Sequence, residues 1–466
     1  MQSLQKNKHL IGAMSIAMIT ITSVDSIRNL PAIALFGTSL IFFFLIGALF
    51  FLIPSAMAAT ELATGWDGGV YHWVKEAFGK KYGFLAIWFQ WVENIIWYPT
   101  LLSFIAGTLA YLISPELAHN KYYLISVIVV TFWGVSLINF AGIKMSARLS
   151  SLCGVLGLIF PMILIIAFGI DWLIRGESIA ISLSPAAILP NLTDPTLMVS
   201  LTAVVLCFCG MEIATVHKQD VRNPAKDYPR AMFLSVVFIV ITMLLGTLAI
   251  AVIVPQNQLS LVAGIMQAFD IVLKAEHFTW LAPLITISII FGSLGGLNNW
   301  IIAPNRGLLY AMEDLNLGEK VRKTNKRGVP VKIILIQAII VTLLSLVFLL
   351  IPSVNGSYWI LTAMTAQLYM GMYILMFAAV IKLRYSQSDV VRPYKIPGGK
   401  FMVWLIAGIG LLTSIFVVGI GFAPPQNVDV GSVFHYEMIM IIGLLALSLP
   451  PFVVYALQQC KQRRNG

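Results

Sequence analysis

Five ionisable side chains stand inside the long apolar runs of this 466-residue sequence. At a membrane helix centre such a charge costs at least about 2.5–3.5 kcal/mol. Asp25 and Arg28 interrupt the first run in TITSVDSIRNLP (20–31), and Glu93 the third in WFQWVENIIWYP (88–99). Glu212 falls in the sixth, in CFCGMEIATVHKQDVRNP (207–224), and Arg306 in the eighth, in APNRGLLYAM (303–312). Residues of this kind face a bundle interior and mark ligand sites, proton relays or ion pairs.

Asp25 and Arg28 are three residues apart, so on an intact helix they share a face and neutralise each other. The second reading is a broken helix, in which Thr20, Thr22, Ser23 and Ser26 satisfy backbone groups freed by the break. The sixth run has a matching feature, Gly210 two residues before Glu212. Paired interruptions in corresponding halves point to the binding site of a transporter built from inverted repeats. There, a half-helix N-terminus offers N–H groups to an anion, and freed carbonyls accept from an ammonium. That chemistry suits a zwitterion, hence an amino acid. Asp25, Glu93 and Glu212 outnumber Arg28 and favour a cationic amine, whereas Arg28 clamping an acidic side chain favours glutamate. Glu93, beside Trp91, Trp97 and Tyr98, reads as part of a cation-facing wall or as an acid satisfied by Asn94, a water or another span. Arg306 reads as a gate or a structural pair at the inner end of its span.

The elements that carry these residues are membrane spans. The chain is 59% hydrophobic and 11% charged, with mean hydropathy +0.89. A soluble domain carries roughly 25% charged residues. Runs long enough to cross a bilayer fall at about 10–36, 38–60, 83–113, 122–141, 149–173, 197–217, 231–254, 280–312, 331–351, 357–383, 402–424 and 437–457. With the N-terminus inside, Lys121, Arg175 and Lys274 lie outside, Arg28 and Arg306 lie within spans, and the other 25 of the 30 Lys and Arg lie inside. This positive-inside pattern predicts cytoplasmic N- and C-termini in a bacterial inner membrane. The net charge of +10 therefore reports topology and contact with lipid, not nucleic acid. Met1–Lys8 is polar and Leu10–Phe36 is too long for a cleavable signal.

Between spans, GWDGGVYHWVKEAFGKKYG (65–83) predicts a short amphipathic helix after a Gly-Gly turn, and VRPYKIPGGK (391–400) a Pro/Gly-punctuated loop. Cys153, Cys207, Cys209 and Cys460 read as packing residues without a zinc pattern. His217 stands alone, and no nucleophile–base or metal-ligand cluster suggests an enzyme, a metal or a cofactor. A membrane sensor or scaffold would need a soluble output module, and no such stretch is present.

Five motifs carry a family resemblance: GTSLIFFFLIGALFFLIPSAMAATELAT in span 2, GMEIA in span 6, NPAKDYPRAM after it, APNRGLLYAMEDLNL with NKRGVPV after span 8, and RPYKIPGGK before span 11. In order and spacing they resemble bacterial amino-acid permeases of the amino acid–polyamine–organocation superfamily, above all the glutamate/GABA antiporter branch. The resemblance runs from about Leu10 to Leu457. It implies an all-α polytopic fold of about twelve helices in one transmembrane unit (1–466), with a first repeat over 10–173, an inverted second over 197–383, and two further spans over 402–457. It also implies broken spans 1 and 6, alternating access, and exchange of an amino acid for another or for an amine. Proton-coupled uptake is the alternative.

Carried over by position, Ser23, Val24, Asp25, Ser26 and Ile27 form the break that contacts the substrate's carboxylate and amine, and Cys207, Phe208 and Cys209 supply the matching carbonyls. Glu212 corresponds to a glutamate implicated in gating or proton coupling. The chain departs from its relatives in four places. Val24-Asp25-Ser26 replaces a glycine-rich break. Leu297 follows Gly296 where arginine/agmatine antiporters have a gating tryptophan, and Trp300 lies one turn later. The same stretch lacks the acid of glutamate/GABA antiporters. The chain stops at Gly466, too soon for the C-terminal plug of those antiporters.

Overall fold

A computed structural model describes residues 12–140, 152–182, 184–213 and 221–456. His217, Cys460 and the inner turn of span 6 lie outside the described residues. Among those described, regular structure is helical. This is what lipid imposes, since an unpaired backbone group in hydrocarbon costs several kcal/mol.

Nine of the described helices are long and apolar enough to cross a membrane. In chain order the elements that matter below are α1 (Ala13–Val24), α2 (Leu30–Ala34), α3 (Gly37–Gly65), α4 (Gly69–Phe78) and α5 (Lys80–Ala110). They continue with α6 (Lys121–Phe140), α7 (Leu152–Ile174), α8 (Ser200–Cys207), α9 (Pro224–Ile253) and α10 (Gly264–Ala275). The series ends with α11 (Ala282–Asp314), α12 (Val331–Leu350), α13 (Val354–Ser386), α14 (Gly399–Ile420) and α15 (Val433–Ala456). Three of the twelve expected spans are not among the nine, each for a physical reason. Span 1 is divided between α1 and α2, and span 6 stops as a helix at Cys207. Span 3 is the unbroken α5, whose 31 residues reach about 46 Å but whose apolar run is diluted by Gln90, Glu93, Asn94 and the amphipathic rings of Trp88, Trp91, Trp97 and Tyr98.

The break in span 1 is local and complete. Asp25 (φ −62°, ψ 130°) and Ser26 (φ −147°, ψ 105°) are extended, a single 3-10 turn covers Ile27–Asn29, and α2 begins with Pro31 in its first turn. Proline at that position has no N–H to return to Ile27, so the carbonyl is met instead by Leu30 N–H in the tighter turn. The hydroxyls expected to serve the break do something else. Thr20, Thr22 and Ser23 donate to the carbonyls of Ile16, Met18 and Ile19, four residues back within α1. Such back-bonding occupies the last turn of a helix and favours its bending.

The end of the molecule rich in Lys and Arg is tied together by carboxylates. Glu61 on α3 is fully buried and pairs with Arg384 and Arg392, both at 3.1 Å. Its second oxygen accepts from Ile396 N–H at 2.8 Å, pinning the Pro/Gly loop before α14. The expected amphipathic helix is α4, entered through Gly68 (φ 102°) and Gly69 (φ 74°), a left-handed pair that only glycine adopts freely. It packs on the end of α11, where Lys75 (2.7 Å) and Tyr71 (2.6 Å) bond Asp314 and hold its carboxyl well below the usual carboxylate range.

Candidate binding site

The two interruptions meet. A Cβ placed on Gly210 (φ 109°) would lie 3.4 Å from Val24 and 3.6 Å from the Ser23 carbonyl, so the turn after α8 faces the turn after α1. Beside them is a cavity of about 180 Å³, many times the roughly 10–15 Å³ that one water needs. Its walls come from the α1–α2 break, α5, α7, the end of α8, α11 and Tyr369 of α13.

Ser23, Val24, Asp25, Ser26, Ile27 and Arg28 all line this cavity, as do Glu93, Trp97, Cys209 and Trp300. Cys207, Phe208 and Leu297 are buried but do not reach it, and neither does Glu212. Arg306 is exposed, away from the site.

Asp25 and Arg28 do not pair. Once the backbone leaves the helix after Val24, the i,i+3 relation no longer places them on one face. Asp25 Oδ2 accepts from Thr242 Oγ1 on α9 (2.9 Å), and Oδ1 has no hydrogen-bond partner. Arg28 Nη1 donates to Thr100 Oγ1 on α5 (2.6 Å) and Tyr358 OH on α13 (3.4 Å), while its guanidinium lies 5.2 Å from the Trp97 ring centre. Trp97 in turn packs on Trp300 at 5.7 Å, making a layered cation–aromatic wall between α5 and α11. Glu93 Oε1 accepts from Asn94 Nδ2 at 2.6 Å, the neighbour considered from the sequence.

Glu212 is held by groups that the sequence does not single out. Tyr369 donates to Oε1 (2.7 Å) and Tyr373 to Oε2 (2.6 Å), both from α13, and Gln90 of α5 reaches Oε1 at 3.2 Å. The Tyr373 hydroxyl also accepts from Gly210 N–H at 2.8 Å, so one side chain fastens both the acid and the turn that carries it. Behind the site, Trp91, Asn305, Gln337 and Tyr98 form a hydrogen-bonded chain that ends on the Trp300 carbonyl and joins α5, α11 and α12.

A model of the family described as amino acid permease matches residues 11–445. The chain belongs to the amino acid permease family. The permease is 41% identical over 449 residues to an uncharacterized transporter of Legionella pneumophila, covering 96% of this chain and 97% of that protein. It is 32% identical over 459 residues to the glutamate/gamma-aminobutyrate antiporter of Lactococcus lactis, covering 97% and 91%. Among solved structures it shares the fold of the Eremococcus coleocola manganese transporter, with a TM-score of 0.57 at 12% identity over 97% of this chain and 94% of the other. The permease is thus a multi-pass membrane protein.

Thr100, Thr242, Tyr358, Tyr369 and Tyr373, which hold Arg28, Asp25 and Glu212 in place, are residues of the permease that sequence reasoning misses. They carry no charge, and threonine and tyrosine are ordinary membrane residues. One signal was available: Tyr369 and Tyr373 are four apart and share a helix face. Tyr373→Phe removes the hydroxyl that serves both Gly210 and Glu212. It is expected to cost about 1–3 kcal/mol as those groups lose a buried partner, read as a lower unfolding temperature of purified protein. Tyr373→Phe unfolding at the same temperature as wild type would show that the hydroxyl holds neither group.

Proposed function

We propose that this permease carries amino acids across the bacterial cytoplasmic membrane by exchange, one amino acid against another or against an amine, through alternating access. The observation that carries the reading is the meeting of two interrupted helices at a small cavity lined by Asp25, Arg28 and Glu93. Charges are kept in such a place, against their desolvation cost, when they meet a charged ligand. The likeness to the glutamate/gamma-aminobutyrate antiporter supports exchange over uptake.

In this reading the substrate's α-carboxylate and ammonium meet backbone groups of residues 23–27 and the carbonyl of Cys209. Glu212 and Trp300 act in gating or coupling, with protons as the candidate coupled ion. Residues 10–173 and 197–383 are two inverted repeats, followed by two further spans over 402–457. The basic end carrying α4 faces the cytoplasm together with both termini, as the distribution of Lys and Arg predicts.

Purified protein in liposomes tests this directly. Preloading with unlabelled amino acids is expected to stimulate entry of a labelled one, and no stimulation by any of them would sink exchange. Asp25→Asn and Arg28→Ala, singly and together, are expected to weaken apparent substrate affinity at least about tenfold, as loss of a buried charge contact does. Unchanged affinity with lowered thermal stability alone would make the two charges purely structural.

A further inference from the structure

α11 carries a proline in its interior, Pro304. Proline has no N–H, so the carbonyl four residues earlier loses its helical donor, and the proline ring crowds that same carbonyl. Four residues before Pro304 stands Trp300, which lines the cavity. A carbonyl freed in this way is tolerated in a membrane helix where a neighbour supplies another donor. Here the donor is Tyr98 of α5, whose hydroxyl lies 2.9 Å from the Trp300 carbonyl oxygen.

The direction of that bond is fixed by the residues behind it. The Trp91 indole can only donate, so the Asn305 atom it meets at 2.7 Å is the amide oxygen. The Asn305 nitrogen then donates to Gln337 Oε1 at 2.9 Å, which leaves the Gln337 nitrogen to donate to the Tyr98 oxygen at 3.2 Å. With an N–H already directed at its oxygen, the Tyr98 hydroxyl turns its proton to Trp300, whose carbonyl can only accept. Trp91, Tyr98, Asn305 and Gln337 are each at most 4% exposed, so the chain is closed to bulk water.

We propose that Tyr98 is a positioning residue for the cavity: its hydroxyl replaces the amide missing at Pro304 and so sets where the Trp300 ring stands. Trp300 packs on Trp97 at 5.7 Å, and Trp97 lies 5.2 Å from the Arg28 guanidinium. Tyr98 is not itself part of the cavity wall and acts on it through Trp300. The proposal rests on the reading of this cavity as the substrate site.

Tyr98→Phe keeps the ring against Phe132, 5.0 Å between centres, and deletes the hydroxyl alone. Pro304→Ala returns an N–H to the Trp300 carbonyl. In purified full-length protein Tyr98→Phe is expected to lower the unfolding temperature, and to lower it far less when alanine stands at 304. The part that remains belongs to the Gln337 nitrogen, left without its acceptor. In liposomes, the common protein amino acids are each labelled and supplied in turn. For those that enter, Tyr98→Phe is expected to raise KM about tenfold while the maximal rate per folded protein changes less than about twofold. With alanine at 304 the same change is expected to raise KM less than about twofold. Equal effects of Tyr98→Phe in both backgrounds would overturn the proposal. So would a fall in maximal rate at constant KM, the mark of a purely structural role. Should Pro304→Ala not fold, Trp300→Ala gives the second background. With that ring gone Tyr98→Phe has nothing to position, and a further rise in KM beyond about twofold would overturn the proposal. Entry of no amino acid at all would overturn the transport reading and any role of Tyr98 in binding, while the unfolding comparison decides separately whether the hydroxyl serves the freed carbonyl.

Discussion

Replacing Glu61 by glutamine is expected to destabilise the protein by about 3–5 kcal/mol, the cost of leaving a buried charge without its partner. The size follows from how much one carboxylate does. Glu61 is 0% exposed, pairs with both Arg384 and Arg392 at 3.1 Å, and accepts the Ile396 amide. Glutamine keeps the volume and one acceptor but leaves two guanidinium groups with only carbonyl partners: Gln387 O and Val390 O for Arg392, and Ile396 O for Arg384. Trp66, stacked 5.2 Å from the Arg392 guanidinium, would lose its fixed neighbour. Unfolding monitored by heating the detergent-purified protein would show the loss, together with a large aggregated fraction on gel filtration. Glu61→Asp, which keeps the charge but shortens the reach, should fall between wild type and Glu61→Gln. A Glu61→Gln protein that unfolds within about 2 °C of wild type would mean that the cluster contributes no net stability, an outcome that buried ion pairs replaced as a whole have shown.

Alanine at Gly157 or Gly292 is expected to cut transport at least about tenfold. These two glycines are where α7 and α11 touch. A Cβ on Gly157 would stand 2.2 Å from Gly292 Cα, and one on Gly292 would stand 2.4 Å from Gly157 Cα. Backbone cannot yield as a flexible side chain does, so the helices must separate, and overpacking of this kind costs about 1–3 kcal/mol or more. The contact falls in a π-helical turn of α7, Val155–Ile159, whose Leu156 carbonyl accepts from Ser288 Oγ of α11. π-turns recur at functional sites. Both glycines also line the cavity, so displacement there reshapes the site directly. Gly408→Ala in α14, where a Cβ meets nothing within 4 Å, is the control and should transport normally. Wild-type rates in Gly157→Ala would show that the two helices part during the cycle without consequence for the site.

Span 1 shows how far sequence reasoning reaches. The position of the break was legible because Asp25 and Arg28 are costly in lipid and stand among Thr20, Thr22, Ser23 and Ser26. Its geometry was not. Whether the two charges pair depends on two backbone torsions at residues 25 and 26, and side-chain spacing carries no information about them once the helix ends. In the same way the acid Glu212 was visible from its charge, but its partners Tyr369 and Tyr373 lie more than 150 positions away and are fixed only by the packing of α13 against the α8 turn. Glu61 was passed over because it lies near a span end, where carboxylates normally reach water. Only the fold brings Arg384, Arg392 and the Pro/Gly loop down over it.

The short segment from Asp25 to Arg28 has divided loyalties. On one side, α1 is fastened to α9: Ser235 donates to the Ala17 carbonyl and Thr242 to the Asp25 carboxylate. On the other, Arg28 is bolted to α5 and α13 through Thr100 and Tyr358, and Tyr358 returns a bond to the Arg28 carbonyl. The extended pair Asp25–Ser26 is the coupling between two machine parts, each anchored to a different frame. Any slip of α9 against α5 and α13 has to be absorbed as torsion in those few bonds, and they are cavity wall. The stretch that lines the cavity is therefore also the one that would register, as strain, any relative motion of the two frames.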